Sequence, residues 1–167
     1  MFHRLEDFFK AYEYRAASTA KILGRLTDAN LGQRIAPNHR ALNEIAWHVV
    51  TSIPEMMSRT GLSLSSVAPG SPPPMRAAAI QEAYGKATEE LAAAVRRDWT
   101  DATLAQADDM YGEKWPRGLT LAILIHHEIH HLGQMTVLLR QAGQTVPGTF
   151  GPSQEEWTAY GMQPPAY

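Results

Sequence analysis

Apolar residues along this chain recur mostly at steps of three and four, the spacing that puts them on one face of a helix. From Leu5 to about Leu26 the stripe runs Leu5, Phe8, Phe9, Tyr12, Ala16, Ala20, Leu23 and Leu26. The stretch TDANLGQRIAPNHR then carries Asp28, Asn30, Gly32 and Pro37, residues that favour turns. Periodicity resumes near Leu42, and a second helix is predicted from about Ala41 to Arg59, kinked or broken at Pro54 because proline lacks a donor and crowds the preceding turn. Gly61 to Pro74, rich in Ser, Gly and Pro, reads as a linker. A third helix, roughly Met75 to Asp98, has strong helix formers and a stripe of Ile80, Tyr84, Leu91 and Val95.

The next segment, TDATLAQADDMYGEKWPRG, reads as irregular and ends with Pro116 near the start of a fourth helix, a position proline tolerates. That helix continues to about Gln141, and Gly143 stops it. VPGTFGP reads as a loop, followed by a short helical tail with Ser153 as cap and Glu156 three residues on. No segment sustains period-two alternation. The expectation is an all-α fold, a four-helix bundle with a short C-terminal helical tail, in a single domain over residues 1–167.

Composition narrows the functional classes. Fifteen Lys and Arg against seventeen Asp and Glu leave a net charge of −2, which provides no basic field for nucleic acid or anionic lipid. The opening MFHRLEDFFKAYEYR mixes charge into every turn, so the chain reads as cytoplasmic, with neither nucleic acid nor membrane as partner. The absence of cysteine removes disulfides, thiolate zinc sites and a cysteine nucleophile, leaving His, Asp and Glu to hold any metal.

Four of the seven histidines, His126, His127, His130 and His131, fall within six residues of the most apolar helix. Residues four apart stack on one helix face roughly 6 Å apart, which suits two imidazoles converging on one ion. At about 100° per residue, Thr120, Leu124, His131, Gln134, Met135 and Leu138 all lie within about 80° of His127. His126 and His130 lie toward the side carrying Gly133 and Arg140. The inward pair is therefore His127 and His131, and an open site needs a third ligand from a facing helix. His48, near the middle of helix two, is the candidate, whereas His3 and His39 lie near element ends. Its stripe also carries Glu44, Thr51, Ser52 and Glu55, a pattern that equally describes a solvent face.

Three segments, AWHVV around His48, HEIHHLGQ from His127 to Gln134 and the tail GQTVPGTFGPSQEEW, together resemble the DinB/YfiT-like proteins over nearly the whole chain. The resemblance implies a metal on His48, His127 and His131, with His126 and His130 as competing donors, and a homodimer. Similarity to members of that superfamily that use a low-molecular-weight thiol implies a metal-dependent thiol S-transferase or isomerase-like enzyme acting on a small molecule. The metal is left open among zinc, nickel and iron, all of which suit imidazole.

Two other readings use the same residues. His127, Glu128, Ile129, His130 and His131 spell H-E-x-x-H, the zinc metallopeptidase signature with Glu128 as general base and Glu155 or Glu156 as a conceivable third ligand. No strand-rich region accompanies it to hold an extended peptide. The other is a non-catalytic structural bundle in which the histidines lock helices two and four together. Trp47, Tyr111 and Trp115 are candidates to line a pocket above the metal, and Gln134 to support His131.

Overall fold

A computed structural model describes residues 1–166; Tyr167, the last residue of the expected domain, lies outside them. Four long helices form, α1 (Leu5–Leu23), α2 (Leu42–Ser58), α3 (Ala77–Asp98) and α4 (Arg117–Gln141). Helices α1 and α2 each pack on both α3 and α4, so α1 faces α2 diagonally across one shared core. Phe8, Ile53, Ile80, Leu91, Leu121 and Met135 are among its fully buried side chains. Each such residue contributes about 1.5–3 kcal/mol by leaving water. Among the described residues no helix is long and apolar enough to cross a membrane.

The purely helical expectation needs one correction. Between α3 and α4 an antiparallel hairpin pairs β1 (Ala107–Met110) with β2 (Glu113–Pro116), Met110 opposite Glu113. Its two-residue turn holds Tyr111 at φ 60° and Gly112 at φ 91°, the left-handed pair of a type I′ turn. Glycine takes this conformation freely; tyrosine does so only where surrounding contacts hold it there.

The starts of α1 and α3 are capped by carboxylates from elsewhere in the chain. Asp101 Oδ1 accepts from the Leu5 N–H (2.7 Å) and Asp28 Oδ1 from the Ala77 N–H (2.7 Å), each meeting the unpaired donors and positive end of a helix N-terminus. Pro54 stays inside α2, which runs unbroken past it. In the same stretch the Thr51 and Ser52 hydroxyls donate back to the Trp47 (3.0 Å) and His48 (2.7 Å) carbonyls.

The expected linker is anchored rather than loose. Trp47 Nε1 donates to the Ser71 carbonyl (2.7 Å), Val67 is buried, and the Ser65 and Ser66 N–H groups donate to Glu90 (2.7 and 2.8 Å). Burial would raise the Glu90 carboxyl, but the hydrogen bonds from Ser66 and Ser65 hold it down to about 2. At the C-terminal end the short helical run is the 3-10 turn Trp157–Tyr160. Its expected Ser153 hydroxyl cap does not form; the Glu156 carboxylate gathers the Gly148 and Ser153 N–H groups instead (3.0 and 3.1 Å).

Candidate metal centre

Helix α4 brings His127 and His131 onto the face turned toward α2, and α2 supplies His48 from the opposite side. The Nε2 atoms of His48 and His131 each lie 3.2 Å from Nε2 of His127, and one ligand atom from each ring falls within 4.8 Å of the others. The ring planes stand 75–86° apart, so the nitrogens meet edge to edge rather than stacking face to face. His126 and His130 are exposed and outside the cluster.

Hydrogen bonding fixes which nitrogens are free. His131 Nδ1 lies 2.7 Å from Gln134 Oε1, and a carbonyl oxygen only accepts, so the ring proton sits on Nδ1 and Nε2 keeps its lone pair. Gln134 Nε2 in turn donates to His130 Nε2 at 3.0 Å, which places His130 behind the site rather than in it. His127 Nε2 therefore faces two imidazole nitrogens, and one N–H cannot point at both. This donor set fits a shared cation. Imidazole nitrogens about 2.0–2.1 Å from an ion and 3.2 Å from each other subtend about 100° at it, near the tetrahedral angle.

Electrostatics keep the three rings neutral. Burial pushes His48 down to about 4, with His131 and His127 pushing the same way. Burial likewise lowers His127, where His131 and His130 add to it, and lowers His131 against the opposing Gln134 hydrogen bond. At neutral pH the lone pairs are therefore available without first expelling a proton.

His48 and His127 open onto a cavity of about 800 Å³. Its far wall is the anchored linker, through Leu64, Val67 and Pro69, so a segment that reads as a connection contributes to the site. Tyr111 at the hairpin tip also lines it. The tyrosine hydroxyl donates to Glu55 Oε2 (2.7 Å), and the Arg59 guanidinium lies 4.2 Å from the ring centre. Burial and the Glu55 carboxylate raise the Tyr111 hydroxyl to about 12, so it remains a hydrogen-bond donor at working pH. Of the other two expected aromatics, Trp115 supports the Tyr111 ring edge-on at 6.0 Å and Trp47 belongs to the core; neither lines the cavity.

Glu128 corrects the peptidase reading. It lies on a buried line of α4, with Leu121, Ile125, Leu132 and Leu139, and turns toward α1 and α3 instead of α2. Arg15 pairs with Oε2, while Thr19 (2.5 Å) and Tyr84 (2.7 Å) donate to Oε1. Both members of the ion pair are 1% exposed. A carboxylate committed to three donors in the core has no water to activate and no path to the imidazoles. Glu155 is likewise occupied, by Arg140 (2.6 and 3.0 Å), and Glu156 by the tail backbone. The signal for this network was Arg15, which falls in register with Phe8, Tyr12 and Ile22. Arg15 and Thr19 fill buried places that the apolar stripe assigned to Ala16 and Ala20.

Comparison with known proteins finds relatives of the whole chain. The DinB family model matches residues 1–165. The uncharacterized protein YrdA of Bacillus subtilis strain 168 is 42% identical over 165 residues, covering 99% of both chains. The crystal structure of a DinB-like protein from Bacillus cereus ATCC 10987 is 42% identical and superposes with a TM-score of 0.87, covering 90% of this chain and all of that one. A second DinB-like structure, YjoA of Bacillus subtilis, shares the fold at 17% identity, with a TM-score of 0.68 over 86% of this chain and 97% of its own.

Proposed function

The chain belongs to the DinB family, and on that premise we propose that it is a metal-binding four-helix-bundle protein whose His48, His127 and His131 hold one divalent transition metal for chemistry on a small molecule. The reaction class that suits the site best is metal-dependent thiol S-transfer or an isomerisation that uses a low-molecular-weight thiol. One observation carries the reading: three neutral imidazoles converge beside an open cavity large enough for a small-molecule substrate.

An ion on three uncharged ligands keeps its full positive charge and lowers the pKa of a thiol or water that reaches it. The chain's own residues do the rest. Gln134 orients His131 and keeps its Nε2 unprotonated. Leu64, Val67 and Ile123 give the cavity apolar walls, and the Tyr111 hydroxyl, whose one proton goes to Glu55, keeps acceptor lone pairs for a ligand. A purely structural zinc is normally closed by four protein ligands; here the cluster holds three, and two of them line the cavity. The homodimer implied by the family resemblance belongs to the same reading, and sedimentation equilibrium tests it.

The direct experiment is cobalt substitution of the untagged full chain followed by titration with 2-mercaptoethanol. New sulfur-to-cobalt charge-transfer absorption is expected. A four-ligand cobalt spectrum unchanged by thiol would reduce the site to a staple between α2 and α4.

A further inference from the structure

On the other side of the triad lies a second cleft of about 340 Å³, between the chain leading into α2 and the C-terminal half of α4. His131 and Gln134 form part of its lining, so the cleft reaches the triad directly. Ile35 and Val137, 54% and 48% exposed, supply apolar walls. Among the described residues lining this cleft the one formally charged side chain is Arg40, with His39 beside it, whereas Glu55 of the large cavity is paired with Arg59 (2.9 Å).

Arg40 is also uncommitted. Glu44, the acid nearest to it in sequence, is taken by Arg34 Nη1 (2.9 Å) and by the Ala41 N–H (2.5 Å). Among the described residues Arg40 makes no ion pair. Arg40 and His131 line the same cleft, so the positive charge of Arg40 faces the site across that space.

Resting on the metal-centre reading above, we infer that Arg40 anchors the carboxylate of a small acid whose other end meets the His48, His127 and His131 triad. The planar guanidinium fork matches a carboxylate with two parallel hydrogen bonds, which a neutral group cannot reproduce. The cleft sits near the lower end of ligand-pocket volumes, which suits a short acid. In the large cavity the one formally charged lining residue, Glu55, is paired with Arg59 (2.9 Å), so no uncommitted cation lines it and the carboxylate is placed in the Arg40 cleft. The acid-bearing ligand lies on the Arg40 side, and its co-reactant enters past Tyr111.

The test compares 3-mercaptopropionate with 3-mercapto-1-propanol, which differ only in the carboxylate, on cobalt-loaded full-length protein at fixed ionic strength. Wild-type protein is expected to bind the acid about tenfold more tightly than the alcohol, the worth of a charge-assisted hydrogen bond. Arg40→Gln should erase that preference without weakening the alcohol, and Arg40→Lys should restore part of it. Arg40 is exposed, so an unchanged melting temperature serves as the folding control. Equal wild-type affinities, or a preference that survives Arg40→Gln, overturn the inference while leaving the thiol reading intact. If neither thiol coordinates cobalt, the thiol reading fails and calorimetry with succinate decides the anchor. Binding lost in Arg40→Gln supports it; binding unchanged, or absent from wild type, overturns it.

Discussion

His131 and Gln134 are joined by a 2.7 Å hydrogen bond from ring Nδ1 to amide Oε1, one helical turn apart on α4. The bond sets the tautomer and the ring orientation that aim Nε2 at His127. Gln134→Ala should therefore weaken metal binding by about 10–100-fold although Gln134 never touches the ion. His130→Ala, which removes only the outer partner of that amide, should have a much smaller effect. Competition against a chelating dye measures both, and equal losses would show that Gln134 does not orient the ring.

The depressed histidines make the metal-free protein sensitive to acid. His48 titrates near 4 when folded and near its ordinary value of 6.5 when unfolded, so between these pH values the unfolded chain binds more protons. Burial shifts His127 and His131 in the same direction. Stability of the metal-free form should thus fall as pH drops from about 6.5 toward 4. His48→Asn should flatten that dependence. Melting curves across this range, with chelator present, check it; an unchanged slope in the variant would contradict the assignment.

Glu128 is predicted to matter for the fold and not as a base. Glu128→Ala leaves the Arg15 guanidinium buried without its partner and should cost about 3–5 kcal/mol. The double variant Arg15→Leu with Glu128→Leu removes both charges and should recover much of that loss. Urea denaturation measures the stabilities, and zinc content of the folded double variant should remain that of wild type. Peptide cleavage by wild type that Glu128→Gln abolishes would revive the peptidase reading.

The helices were legible because their periodicity and propensity agree, and the bounds of all four shift by at most about three residues from those read in the sequence. The hairpin was hidden because four-residue strands, ADDM and EKWP, are too short to alternate, and its turn carries Tyr-Gly in place of the usual Asn-Gly signal. The buried Arg15–Glu128 pair escaped notice because counting apolar positions treats every charge as solvent-facing. The linker's role as a cavity wall rests on backbone hydrogen bonds to Glu90 and Trp47, which leave no periodic trace. Three histidines on facing helices were readable and Tyr111 was among the aromatic candidates for the cavity, but Arg40 enters through loop geometry alone.

The central claim is that His48, His127 and His131 hold one metal ion, and calorimetric titration of zinc into stripped, untagged protein tests it most directly. About one equivalent should bind tightly to wild type. Single Ala substitutions at His48, His127 or His131 should each abolish tight binding, while His126→Ala and His130→Ala retain it. Equal losses at all five positions, or no tight site in wild type, would contradict the account.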